Sequence, residues 1–174
     1  MIVAKIANSH NDEYYTPAYA VVPMVKYVPK GSKIWCPFDT NESHVVKVLR
    51  DSGHEVRCTH IGHGEDFNFF NLVPFEGEYI ISNPPYSLKN EVFKRLFELG
   101  APFAMLVGVV GLSESQARYE MFRDNKFEVM YLNRRIGFFK DFADQKPSIS
   151  PPFSSVWICS GMLPRQIIFE EVNK

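Results

Sequence analysis

The chain has 174 residues, of which 45% are hydrophobic and 14% aromatic, and its formal net charge is −1. That length supports a single domain with a real core, and the near-neutral balance excludes a global basic field, so any nucleic-acid contact must come from a local patch. The opening Met1-Ile2-Val3-Ala4-Lys5 turns polar too soon for a signal peptide, and the longest apolar run, Pro102 to Leu112, is too short to span a bilayer; a cytoplasmic protein without membrane attachment is expected.

Residues 1–13 read as an arm, polar after its first few positions. Pro17 can open a helix running toward Tyr27, with Thr16 as its cap and Pro23 shortening or kinking it. Gly31-Ser32 is a turn before the short strand Lys33 to Cys36, and a helix from Glu42 to Asp51 stops at Gly53. Glu55 to His60 alternates like a strand. Glu78 to Ser82 reads as a strand and Leu88 to Leu99 as a helix ending at Gly100. Phe103 to Val109 is continuous and apolar, the signature of a strand buried on both faces. Glu114 to Asp124 follows as a helix and Phe127 to Leu132 as a strand, and Ser155 to Cys159 and Gln166 to Glu170 close the chain as a pair of strands. The alternation predicts an α/β fold: a Rossmann-like, mostly parallel sheet with helices on both faces and an antiparallel edge hairpin, all in one domain over residues 1–174.

The region from Asn133 to Phe153 carries no regular pattern. It places Arg134, Arg135, Lys140 and Lys146 beside Phe138, Phe139, Phe142 and Phe153. Basic groups interleaved with aromatics suit a nucleic-acid contact; the same phenylalanines could equally cover the sheet. The three cysteines, Cys36, Cys58 and Cys159, lie in strand-like segments without a Cys-x-x-Cys and are expected as reduced thiols. Cys58, His60 and His63 could converge on zinc, but their setting reads more simply as strand and turn, so no metal is expected. His10, His44 and His54 are expected at the surface.

The most specific signal is Asn83-Pro84-Pro85-Tyr86, placed where an apolar strand gives way to a helix. In open α/β sheets ligands bind just beyond the carboxyl ends of the strands. An exocyclic amine on a nucleobase is a poor nucleophile because its lone pair is delocalised into the ring. Two acceptors on its two hydrogens favour a pyramidal nitrogen and release that lone pair. The amide oxygen of Asn83 and the carbonyl of Pro84 can be those acceptors, and Pro84 and Pro85 stiffen the turn that presents them. Tyr86 offers a flat face on which a base can stack, worth about 1–3 kcal/mol.

With these residues the chain resembles the S-adenosylmethionine-dependent amino-methyltransferases, and among them the small phage-type DNA N(6)-adenine methyltransferases. The resemblance covers about residues 12 to 160. Asn83, Pro84, Pro85 and Tyr86 match the family's catalytic tetrapeptide. Asp12-Glu13-Tyr14-Tyr15-Thr16-Pro17 looks like its amino-terminal cofactor segment, which implies a cofactor role for Tyr15, Thr16 and Pro17. Asp66 and Phe67 are similar to the pair that holds the cofactor adenine. The turn after the first strand, Cys36-Pro37-Phe38-Asp39, departs from the family: Cys36 stands where an acid is usual, and no glycine follows. Asp39 can take over the contact to the cofactor amine. Thr59-His60-Ile61 also lacks the acid that usually grips the ribose.

The resemblance implies S-adenosylmethionine as cofactor and adenine-containing DNA as partner, in a bacterial or phage-infected cell. Asn83 would serve both the target amine and the cofactor site. Tyr86, Arg134, Arg135, Phe138, Lys140 and Phe153 would meet the substrate. Two alternatives stay open: a methyltransferase-derived protein that binds without catalysing, and methyl transfer to RNA or to a protein amide. The order of the pieces disfavours the protein glutamine methyltransferases, which share Asn-Pro-Pro-Tyr but carry their extra segment differently.

Overall fold

The computed structural model of the chain describes residues 14–60, 74, 78–109, 112, 114–140, 143, 146 and 153–174. Along the sequence the elements are α1 (Ala18–Val25), β1 (Lys33–Cys36), α2 (His44–Asp51), β2 (Glu55–Cys58), β3 (Glu78–Ser82), a single 3-10 turn (Tyr86–Leu88), α3 (Lys89–Leu99), β4 (Phe103–Gly108), α4 (Gln116–Asp124), β5 (Glu128–Leu132), β6 (Ser155–Ser160) and β7 (Ile167–Glu170). The strands form one sheet in the order β2-β1-β3-β4-β6-β5-β7. β1 pairs in parallel with β2 and β3, and β3 with β4. β6 lies antiparallel between β4 and β5, and β7 adds to the outer side of β5 in parallel. This is the Rossmann-like arrangement expected, with the reversed strand set inside the sheet.

The closing pair differs from expectation in its pairing. β6 and β7 run in opposite directions, but β5 separates them and they form no hairpin. The reason is burial. All but the last residue of β6 are buried, which demands a neighbour on each side. β7 has one buried residue in four and suits an edge.

The sheet is covered on both faces. On one, Ala20, Val21 and Met24 of α1 and Val45, Val46 and Leu49 of α2 pack on Ile34, Ile81, Leu106 and Trp157. On the other, Val92, Phe93 and Leu96 of α3 pack on Trp35, Ile80, Phe103 and Met105, and Met121 and Phe122 of α4 join them. Alternate residues of β1 thus serve opposite cores, which is why the strand reads as an unbroken apolar run. Gly53 and Gly100 leave α2 and α3 with φ of 88° and 68°, the left-handed conformation that costs glycine little. α1 keeps Pro23 inside it and is only eight residues long. Its docking is polar as well as apolar: Trp157 Nε1 donates to the carbonyl of Ala20 at 3.0 Å.

Two expectations fail at side-chain level. Thr16 does not cap α1; Pro17 holds the N-cap position and no side chain caps that end. His54 is buried, at 7% exposure, and desolvation lowers its pKa. His44 is half-buried and meets the ring of Phe139 edge-on. The three cysteines are free thiols, and Cys58 Sγ lies 3.3 Å from Asn41 Oδ1. His10 and His63 lie outside the described residues, among which no helix is long and apolar enough to cross a membrane.

Candidate active site

From β1 the chain moves outward to β2, then returns to the other side of β1 as β3. The strand order therefore reverses between β1 and β3, and a crevice opens at their carboxyl ends. Two turns flank it: Pro37-Phe38-Asp39 after β1 and Asn83-Pro84-Pro85 after β3.

These turns are bound to each other. Ser82, the last residue of β3, donates its hydroxyl to Asp39 Oδ2 and accepts from the amide of Phe38 at 3.3 Å. The chain leaving β2 is tied in as well. Thr59 N donates to the carbonyl of Cys36 at 3.1 Å, and Thr59 Oγ1 donates to that of Pro37 at 3.2 Å while accepting from Trp35 Nε1 at 3.1 Å. Asp39 N closes the loop onto the carbonyl of Thr59 at 3.2 Å. Close approach of three strand ends is thus achieved without glycine, through hydroxyls that satisfy the backbone.

Asp39 is buried, at 7% exposure, and makes no ion pair among the described residues. Desolvation pushes its carboxyl up to about 6, against the opposing hydrogen bonds of Ser82 and Ser43 and the nearby His60. Cys36, in the place usually acidic, is a buried thiol whose pKa burial raises, so it stays neutral. A buried carboxyl that makes no ion pair among the described residues fits a ligand that brings a positive charge, as S-adenosylmethionine does with its sulfonium and ammonium groups.

Asn83 occupies the centre of the second turn. Its Nδ2 donates to the carbonyl of Tyr14 at 2.8 Å and to Thr16 Oγ1 at 3.1 Å. A backbone carbonyl only accepts, so this pair fixes which end of the amide is nitrogen. Asn83 Oδ1 is consequently turned the other way, where it is buried and has no hydrogen-bond partner. Pro85, at φ −57°, precedes the single 3-10 turn, and its carbonyl accepts from Leu88 N at 3.2 Å. Pro84 is buried beside it.

An aromatic group walls the turn. Tyr86 meets Tyr14 edge-on with centroids 5.4 Å apart and Phe153 at 5.6 Å. Tyr14 also meets Phe138 at 6.1 Å and Phe153 at 6.5 Å. The Tyr86 hydroxyl is buried without a partner, and burial, then Tyr14, raises its pKa. Phe153 in turn packs on β4: a Cβ added at Gly108 would meet its ring at 3.0 Å. Tyr15 forms a two-way backbone bridge to Phe139, at 2.9 and 3.2 Å, and its ring stacks on that of Phe139. The segment before α1 and the chain after β5 are thereby one strap across the site.

The structure thus brings Tyr15, Thr16, Cys36, Pro37, Phe38, Asp39, Asn83, Tyr86, Phe138 and Phe153 to one end of the sheet. Phe138 and Phe139 are buried, so these two phenylalanines cover core, whereas Arg134, Arg135 and Lys140 are exposed. Lys140 stands 5.5 Å over the Tyr14 ring. Asp66, Phe67, Asp12 and Phe142 lie outside the described residues. Tyr14, Ser82 and Thr59 are additions that the sequence did not single out. Their part depends on contacts between segments far apart in the chain, which spacing does not reveal.

No family model matches the chain, and no curated protein matches it. Among solved structures, the protein-(glutamine-N5) methyltransferase (release factor-specific) from Alicyclobacillus acidocaldarius subsp. acidocaldarius DSM 446 is similar, with 14% identity over 82% of this chain and 88% of that one and a TM-score of 0.43. So distant a likeness does not bear on the reaction, and the fold rests on the strand order above.

Proposed function

We propose that the chain transfers the methyl group of S-adenosylmethionine to the exocyclic amine of adenine in DNA. One observation supports this above the others: Asn83 presents a buried, unpartnered Oδ1 on a turn held rigid by two prolines, with its amide nitrogen tied to Tyr14 and Thr16. An unmet acceptor in a buried position is costly unless a ligand donates to it. The amine of a target base is such a donor.

Bound S-adenosylmethionine supplies an electrophilic methyl on a cationic sulfur. Asp39 and the backbone of Pro37 and Phe38 are the groups at hand to hold it, with Tyr15, Thr16 and Pro17 closing over it from the strap. Asn83 Oδ1 and the Pro84 carbonyl take the two amine hydrogens and free the nitrogen lone pair. Fixing the amine in line with the methyl supplies much of the rate. An adenine cannot present its amine from within a duplex stack, so the base must leave the stack to reach the turn. Tyr86 is the ring beside which it would lie. Arg134, Arg135 and Lys140, exposed on the chain after β5, would meet the strand. No strong base is needed, because the nitrogen loses its proton after transfer.

Incubation with a labelled methyl donor and a mixture of DNA, RNA and glutamine-containing peptide, followed by nucleoside and amino-acid analysis, tests the reading. Label in N(6)-methyladenine from DNA is expected. Label confined to peptide amide or to RNA would change the acceptor. Calorimetric binding of the cofactor with no label transferred would leave a binding protein.

A further inference from the structure

Immediately beyond the catalytic turn, two cations stand together without an ion pair among the described residues. Lys89 opens α3, three residues after Tyr86, and its Nζ lies 4.8 Å over the Tyr86 ring. Arg118, in the first turn of α4, is close enough to oppose the charge on Lys89. Lys89 is half-buried; desolvation first, then Arg118, lowers its pKa, and Glu114 only partly offsets this. Neither side chain makes an ion pair or a hydrogen bond among the described residues, and Arg118 Nε is buried with no partner at all. Lys140 stands over the neighbouring Tyr14 ring, so each ring of the pair carries a cation.

Two like charges gathered in a half-buried place, one with an orphaned donor, are unfavourable by themselves. A dianionic or monoanionic oxygen ligand would relieve both the repulsion and the unmet donor. Given adenine transfer at Asn83, which this inference rests on, we propose that Lys89 and Arg118 grip a phosphodiester of the nucleic-acid strand next to the target nucleotide. The target base would then be anchored by an adjacent phosphate contact, which is how a chain with no net positive charge can retain a polyanion at one place.

The test uses the full chain and a fluorescent oligodeoxynucleotide with one adenine. Binding is followed by anisotropy across salt concentrations for the parent, for Lys89→Gln/Arg118→Gln, and for Lys89→Arg/Arg118→Lys, with thermal melting to verify folding. The neutral pair should bind at least about tenfold more weakly at low salt and show a log–log salt slope shallower by about 1, one phosphate's worth of released counterions. The charge-preserving pair should keep the slope. In a second arm, a single uncharged methylphosphonate is walked through the linkages around the adenine. One position should weaken the parent and leave the neutral pair unaffected. This arm reads the parent alone if the variants do not fold, and a parent indifferent to every linkage would overturn the clamp. Equal slopes in parent and neutral pair would do the same. If the parent methylates the oligonucleotide while the clamp tests fail, only the clamp falls. If it methylates a glutamine peptide and no nucleic acid, the clamp and the proposed function fall together.

Discussion

Thr16 Oγ1 and Asn83 Nδ2, 67 positions apart in sequence, are joined by a hydrogen bond of 3.1 Å. With the carbonyl of Tyr14 it occupies both hydrogens of the Asn83 amide. The amide is therefore oriented before any substrate arrives, and its oxygen needs no reorganisation to accept from one.

Replacing Thr16 by Val removes one of these two anchors at nearly constant volume. A hydrogen bond of this kind contributes about 1 kcal/mol, so kcat for methyl transfer is expected to fall by roughly five- to tenfold. KM for the nucleic acid should change little, since Thr16 orients Asn83 without touching the acceptor strand. Steady-state kinetics separates the two; a change confined to KM would place Thr16 in binding instead.

Asn83→Ala removes the acceptor itself. Loss of a preorganised group of this type costs on the order of a hundredfold in rate, with the fold preserved. Because Asn83 also holds Tyr14 and Thr16, the strap should loosen too, seen as faster amide exchange at Tyr15 and Phe139. Activity within a few-fold of the parent would remove the motif from catalysis.

Asp39 makes stability and cofactor affinity depend on pH in opposite senses. Its carboxyl titrates near 6 in the folded protein, against about 3.9 when unfolded. The folded state binds the proton more tightly, so this contribution to stability is full below about pH 4 and is lost as pH rises through 6, to the extent of a few kcal/mol. Asp39→Asn should flatten that dependence in denaturant titrations between pH 4 and 7. A cationic cofactor favours the ionised carboxylate, so calorimetric affinity for S-adenosylmethionine should fall as pH drops through 6 in the parent and stay flat in Asp39→Asn. Identical profiles for the two proteins would show that Asp39 does not face the cofactor.

Arg134, Arg135 and Lys140 are exposed on the chain after β5. Replacing all three by Ala should weaken DNA binding and flatten its salt dependence by about 0.7–0.9 for each phosphate that the variant leaves unneutralised. Cofactor affinity should survive, because Asp39 lies on the turn after β1 and Ser82 ends β3, away from the three replaced side chains in sequence. Unchanged slope and affinity would make this segment a cover only.

What the sequence revealed was local. β1, β3 and β4 follow from short apolar runs, β2 from alternation, and the ends of α2 and α3 from Gly53 and Gly100, because left-handed backbone leaves a visible residue. The Asn-Pro-Pro-Tyr turn was legible for the same reason: prolines and a strand end fix its shape from within. The neighbours of β5 were not, since β6 and β7 are equally apolar on paper and only the burial of Trp157 and Ile158 on both faces puts β6 inside. Thr16 read as a helix cap because a hydroxyl before a proline often is one. Its partner lies in another segment altogether, and no periodicity signals a contact of that range. His54 followed the general habit of histidines and was buried by the packing of its turn.

The position of β6 has a bearing on how the chain is made. Residues 155–160 fill a slot between β4 and β5, whose residues 103–108 and 128–132 leave the ribosome first. Until the later segment emerges, the nascent chain carries two open strand edges, and the long-range pairing that closes them is slow to find. Completion of the sheet thus waits on the synthesis of residues 155–160. A chain stopped before Ser155 keeps the Asn83-Pro84-Pro85-Tyr86 turn and yet has a gap through its centre; such fragments should collect in aggregates.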